Sequence, residues 1–262
     1  MNRPRKRFGQ HFLHDTAVIA RIVAAIDPRP GQTLVEIGPG PGALTAPLAA
    51  AGVRLHALEI DRELAAALRQ RFAGNADVSI ETADALEVNF GRFGTRLRCV
   101  GNLPYNISTP LLFHLGRFDG IADMHFMLQK EVVERMAAAP GSRTYGRLSV
   151  MLQSRWQVVS LFDVGPGAFR PPPKVHSSIV RLSPLARPPV IADPVRFDAI
   201  VRAAFSQRRK TLKNALKDLL SAADIERAGV DPGCRAETLD IRQFVELSCQ
   251  TPYKVWNNND RP

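Results

Sequence analysis

Four consecutive residues, Asn102-Leu103-Pro104-Tyr105, close an apolar run and bring together a side-chain amide, a backbone carbonyl, a fixed proline and an aromatic ring. The Asn102 side-chain oxygen and the Leu103 carbonyl offer acceptors for both hydrogens of a planar aromatic amine, with Pro104 fixing the backbone and Tyr105 stacking on the ring. Such an amine, N6 of adenine for example, is a poor nucleophile because its lone pair is delocalised. Catalysis must localise that pair and align it with an electrophile. Positive charge then grows on nitrogen in front of two carbonyl dipoles, so no general base is needed to begin. A base held in a stem or loop has first to be turned out of its stack. Taken alone, the tetrapeptide also reads as an Asx-Pro turn ending a strand.

A second cluster lies upstream. Leu34-Val35-Glu36-Ile37 runs into Gly38-Pro39-Gly40-Pro41-Gly42 and then a helical pattern, a strand-turn-helix in which missing side chains let a ligand approach the backbone. Gly38, Gly40 and Ala43 fit the G-x-G-x-x-A dinucleotide pattern, and Glu59 follows at the distance of a ribose-binding acid, so a nicotinamide cofactor fits locally. Three features favour S-adenosylmethionine instead. Glu36 lies inside the strand, where an acid meets the cationic methionine portion; Asp84 follows a third strand, where it would accept from an adenine amine; and the fourth strand ends in Asn102. Ligands of open α/β sheets sit at these carboxyl ends.

The elements that must position these residues are legible as alternating short apolar runs and helical patterns. Strands are predicted at 34–37, 54–60, 78–82, 97–100, 124–128, 157–164 and 178–182, and helices at 43–51, 61–72, 109–115 and 130–138. This is an α/β fold with a doubly wound, mostly parallel seven-stranded sheet. Prolines cluster from Pro184 to Pro194 and only helical periodicity follows. The expectation is a domain over 1–188, a linker near residue 188, and a small C-terminal all-helical domain over 189–262.

The formal net charge is +10, from 35 Lys and Arg against 25 Asp and Glu. Arg3, Arg5, Lys6 and Arg7 in an N-terminal arm, with Arg202, Arg208, Arg209, Lys210, Lys213 and Lys217, account for the whole excess. Two cationic segments on a neutral body imply a polyanion gripped at two places, because phosphate binding releases counterions. Leu212, Leu216 and Leu219 recur on one helical face and Arg209, Lys213 and Lys217 on another. The spacing predicts one helix whose basic row follows an RNA backbone. Cys99, Cys234 and Cys249 have neither disulfide nor zinc spacing, and the histidines show no metal-ligand pattern, so no metal is expected. The arm lacks the apolar core of a secretory signal, and glycines and prolines interrupt the uncharged run 37–53. A cytoplasmic protein without a membrane segment is expected, with nothing to indicate an obligate dimer.

With these motifs in place, the chain resembles the KsgA (RsmA) family of small-subunit ribosomal RNA adenine dimethyltransferases. The resemblance covers nearly the whole chain. It rests on the stretch from Arg5 through Phe8-Gly9-Gln10-His11-Phe12-Leu13, on Val35 to Gly40, on Asn102 to Ser108, on Met127 to Val132, on Ala168-Phe169-Arg170-Pro171-Pro172-Pro173-Lys174-Val175, and on Phe205 to Leu212. It implies a Rossmann-like class I methyltransferase that uses S-adenosylmethionine to dimethylate N6 of two adjacent adenosines in the 3′-terminal hairpin loop of 16S ribosomal RNA, late in assembly of the small subunit. By the same resemblance His11, Leu13, Gly38, Glu59, Asp84 and Asn102 contact the cofactor, His11 through its backbone because relatives often have asparagine there. Phe169 falls at a second aromatic position that sandwiches the target base with Tyr105. The nearest rival is a large-subunit resistance methyltransferase, which typically carries isoleucine where this chain has Leu103. A noncatalytic factor on the same fold and a nicotinamide oxidoreductase stand further off.

Overall fold

The computed structural model describes residues 10–105 and 107–250. In chain order the elements are β1 (Phe12–Leu13), α1 (Thr16–Ile26), β2 (Thr33–Ile37), α2 (Thr45–Ala50), β3 (Arg54–Glu59), α3 (Arg62–Arg71), β4 (Val78–Thr82) and β5 (Leu97–Asn102). There follow α4 (Ser108–Leu115), β6 (Ile121–Gln129), α5 (Lys130–Met136), α6 (Arg147–Gln153), β7 (Trp156–Val164), β8 (Phe169–Arg170) and β9 (Ser177–Pro184). Last come α7 (Pro194–Ser206), α8 (Leu212–Ala215), α9 (Ala222–Arg227) and α10 (Ile241–Cys249).

Seven strands form one sheet in the order β4-β3-β2-β5-β6-β9-β7. The β2–β3, β2–β5, β3–β4 and β5–β6 pairs are parallel, and β9 lies antiparallel to β6. Because helices cover both faces of such a sheet, successive residues of a central strand are buried: Leu34, Val35, Glu36 and Ile37 of β2 are all buried. The order turns outward in opposite directions from β2 and β5, which places a crevice at the carboxyl ends of these two strands. The Arg98 guanidinium at the opposite end of β5 holds Asp123 at 2.8 Å and donates to the carbonyls of Ile26 and Asp27, tying the end of α1 to the sheet. Asp15 caps α1 by accepting from the amides of Ala17 and Val18.

The described residues divide into two compact units, 10–134 with 157–184, and 135–156 with 185–250. The first contains the sheet. The single boundary expected near residue 188 therefore has a counterpart at 185, but the helical unit also takes in an earlier excursion. The reason is packing: Tyr145 and Val150 are buried in one apolar cluster with Phe197, Val201, Leu212, Leu216 and Phe244. Arg147 on α6 also pairs with Asp198 on α7 at 2.6 Å.

The helix expected to carry Arg209, Lys213 and Lys217 in one row is not continuous. α7 ends at Ser206, Thr211 is extended at φ −67° and ψ 158°, and α8 is only four residues long. The Leu212 and Lys213 amides are taken by the carbonyls of Cys234 and Pro232, so the chain starts afresh there. Leu212 and Leu216 are nonetheless buried, Leu219 is half-buried and the three cations are exposed, as the periodicity required. Among the described residues no helix is long and apolar enough to cross a membrane.

Candidate functional site

The carboxyl ends of β2, β3, β4 and β5 deliver Gly38, Glu59, Asp84 and Asn102 to the rim of one cavity of about 150 Å³. Its lining also includes His11, Gly40, Leu103, Pro104 and Tyr105, which converge from segments distant in sequence. Gly38 and Gly40 adopt φ of +67° and +57°, in the left-handed region that residues with a Cβ rarely enter, so the loop turns sharply there. Glu59 stabilises that turn: its Oε2 accepts from the Gly40 amide and its Oε1 from the Asp61 amide, each at 2.9 Å. Burial pushes the Glu59 carboxyl up from its ordinary pKa, and those two amides oppose the shift. Asp84 accepts from the Leu86 amide at 2.9 Å, which leaves further acceptor capacity on its carboxylate.

Asn102 donates through Nδ2 to the His11 carbonyl at 3.0 Å. That contact uses one of the two amide hydrogens, fixes which way the amide points, and leaves Oδ1 as the side chain's acceptor. His11 in turn places Nδ1 2.7 Å from the Pro171 carbonyl, and its ring lies 5.9 Å from that of Tyr105 at an interplanar angle of 28°. The Tyr105 hydroxyl reaches the Ser177 hydroxyl at 3.0 Å, and the Tyr105 carbonyl accepts from Ser108 Oγ at 3.1 Å. Burial raises the Tyr105 pKa while the Ser177 contact lowers it, so the ring is neutral at physiological pH.

A smaller adjoining cavity is lined by Leu13, Glu36, Gly38, Pro39, Gly40, Pro41 and Asn102. Glu36 is buried, and its Oε2 has no hydrogen-bond partner. Burial is the main cause that lifts its pKa to about 7; the neighbouring Thr45 hydroxyl opposes the shift and the Glu59 charge adds to it. An unpartnered buried carboxylate beside a glycine loop fits a cationic ligand group, which would supply the missing partner.

Phe169 is not brought to this site. β8 pairs with β1 so that Phe169 stands opposite Leu13, and directly opposed residues share a face. Both point into an apolar cluster with Val164 and Ile179, where Phe169 is 2% exposed. The sandwich expected between Phe169 and Tyr105 is therefore absent from this arrangement, and the ring nearest Tyr105 across the cavity is His11. Leu13 sits in the same core yet still borders the smaller cavity. Arg5, Lys6 and Arg7 lie outside the described residues. Arg209, Lys210, Lys213 and Lys217 are exposed on the helical unit, whereas Arg208 is held by Glu237 at 2.8 Å and by the Arg143 carbonyl.

Three contributors carry no motif signal. Ser177 meets Tyr105 only through folding, 72 residues apart. Ile60 is 47% exposed and lines the cavity beside Glu59, where an apolar side chain suits a flat ring. Gly101 allows β2 and β5 to approach: a Cβ there would stand 2.4 Å from the Ile37 carbonyl oxygen.

Comparison with known proteins agrees with this geometry. The family model for ribosomal RNA adenine dimethylase matches residues 1–250. A ribosomal RNA small subunit methyltransferase A from Pseudomonas aeruginosa is 56% identical over 254 residues, covering 95% of each chain. Its namesake from Methylococcus capsulatus is 56% identical over 250 residues, covering 94% of this chain and 97% of its own. Among solved structures, a dimethyladenosine transferase from Plasmodium falciparum superposes with a TM-score of 0.77 at 27% identity, covering 90% of this chain and 96% of that one. The 23S rRNA methyltransferase ErmE does so with a TM-score of 0.70 at 25% identity, covering 90% and 98%. The chain belongs to the ribosomal RNA adenine dimethylase family.

Proposed function

We propose that this enzyme dimethylates N6 of two adjacent adenosines in the 3′-terminal hairpin loop of 16S ribosomal RNA, on the assembling small subunit, as a cytoplasmic monomer that uses S-adenosylmethionine. The observation that carries the reading is the Asn102 side chain, fixed by the His11 carbonyl at the mouth of a cavity that also holds Tyr105. The family and the name shared by its relatives support the substrate.

The residues present fit S-adenosylmethionine. Glu36 would hold the methionine ammonium, Glu59 the ribose hydroxyls and Asp84 the adenine amine, with Gly38 and Gly40 leaving room at the backbone. When bound, the cofactor supplies an electrophilic methyl group. Asn102 Oδ1 and the Leu103 carbonyl orient the target amine, Tyr105 stacks on the base, and the two dipoles stabilise the charge that grows on nitrogen. The proton leaves to water afterwards. The basic arm Arg5, Lys6 and Arg7 and the cations Arg209, Lys210, Lys213 and Lys217 would grip RNA phosphates, and Arg208 would join them on release from Glu237.

The test is transfer of radiolabelled methyl from S-adenosylmethionine to under-methylated small subunits, with large subunits in parallel, followed by mapping of the modified bases. Dimethyladenosine in the small-subunit terminal hairpin is the expected outcome. Label on large subunits alone would reassign the enzyme to the activity named for ErmE, and label on neither would make it a noncatalytic factor.

A further inference from the structure

Between Asp163 and Asp193 the sequence contains no acid but carries Arg170, Lys174, Arg181 and Arg187, a third cationic stretch hidden in the overall balance. After β8 ends at Arg170, residues 171–176 form an irregular loop that opens with three consecutive prolines, Pro171, Pro172 and Pro173. Both ends of the loop are fastened to the catalytic cavity. At one end Arg170 stands opposite Phe12 in the β1–β8 pair, and the Pro171 carbonyl meets the His11 ring at 2.7 Å. At the other end Ser177 holds the Tyr105 hydroxyl at 3.0 Å. The loop is therefore tethered to two residues of the cavity lining, His11 and Tyr105, and stiffened between by prolines whose φ is fixed.

Arg170, at the end of β8, and Lys174, on the loop, are exposed, and among the described residues neither is engaged in an ion pair. Lys130 shows the contrast, since Asp163 neutralises it at 2.6 Å. Two uncompensated cations on a rigid rim cost little further ordering when an anion arrives. A base turned into the cavity keeps its ribose and flanking phosphates outside, so the rim meets the backbone immediately beside the target nucleotide.

We infer that Arg170 and Lys174 form a phosphate-binding rim that holds the RNA backbone next to the adenosine inserted against Tyr105. This rests on the proposed adenine methyl transfer and adds a binding site within the catalytic unit, separate from the cations of the helical unit. Its contribution is to binding, since phosphate contacts set register and orientation and do not touch the reacting atoms.

The experiment compares Arg170→Gln with Lys174→Gln in one chain against a control carrying Arg54→Gln and Arg181→Gln, two exposed cations on strands β3 and β9, away from this loop. The probes are under-methylated small subunits and a synthetic terminal-hairpin RNA, titrated from low to moderate salt, with thermal melting to establish that each variant folds. The rim variant is expected to raise KM for subunits roughly tenfold at near-constant kcat, and to flatten the log-affinity against log-salt slope by about 1.5, while the control stays close to wild type. A rim variant that matches the control in slope and KM overturns the inference while leaving wild-type methylation, and so the parent reading, intact. Failure of the wild type to methylate any subunit would overturn both. A photocrosslinking amino acid installed in place of Lys174 should label nucleotides adjacent to the methylated adenosines; crosslinks confined to distant helices would also overturn it.

Discussion

A chemically inert carboxamide becomes a catalytic group only when its orientation is decided. Asn102 would be free to rotate at the end of a strand, yet its Nδ2 donates to the His11 carbonyl and one rotamer is thereby selected. Asn102→Ala is expected to lower kcat by about 100-fold or more, the cost of removing one oriented dipole, while melting temperature and RNA affinity stay near wild type. Wild-type-like turnover by that variant would refute the assignment. Glu36 makes a different prediction, because its folded pKa of about 7 lies above the ordinary carboxyl value of 4.5. The folded state holds the proton more tightly, so the stability linked to this group is fully present at acid pH and is lost as pH rises through about 7. Chemical denaturation of the ligand-free protein should show Glu36→Gln gaining on wild type between pH 5 and pH 8 by up to roughly 3 kcal/mol. A constant difference between the two would mean that Glu36 is ionised without penalty.

Elements act here as rulers. β2 and β5 are neighbours whose ends hold the glycine loop and Asn102, and their approach is set by Gly101 facing the Ile37 carbonyl. The obstacle to a Cβ is backbone, which cannot rotate aside, so the strands themselves must shift. Gly101→Ala is expected to destabilise the protein by about 1–3 kcal/mol, read as a drop in melting temperature, and to impair methyl transfer beyond what that loss explains. The antiparallel strand β9 acts in the same way from the other side. Its first residue, Ser177, faces Gln129 at the end of β6 and thereby reaches the Tyr105 hydroxyl.

Across the whole molecule, both units carry exposed cations, and Arg170 and Lys174 lie on the sheet-bearing one. Arg209, Lys213 and Lys217 are exposed on the helical unit although no single helix carries them. Neutralising the three together should weaken RNA binding at physiological salt and reduce the salt slope by about 2 to 3. Binding titrations with ribosomal RNA at several salt concentrations measure this directly, and an unchanged slope would return these residues to an ordinary solvated surface. Because Gly38, Glu59, Asp84 and Asn102 all lie in the sheet-bearing unit, the same variant should keep its cofactor affinity.

Local pattern alone determined the parallel sheet and the glycine loop, because β2 is buried on both faces and turns with positive φ favour glycine, while the motifs between Arg5 and Leu212 carried the resemblance to the family. Tertiary structure decided what depends on pairs remote in sequence. It turned Phe169 into the core, because its partner Leu13 already faced inward, and it gave Asn102 its orientation through His11. It also drew residues 135–156 into the helical unit, where Tyr145 and Val150 find an apolar cluster that the sheet-bearing unit does not offer them. Thr211 interrupts the basic row for the same reason: the Cys234 and Pro232 carbonyls that receive the next two amides lie some twenty residues downstream, beyond the reach of any periodicity.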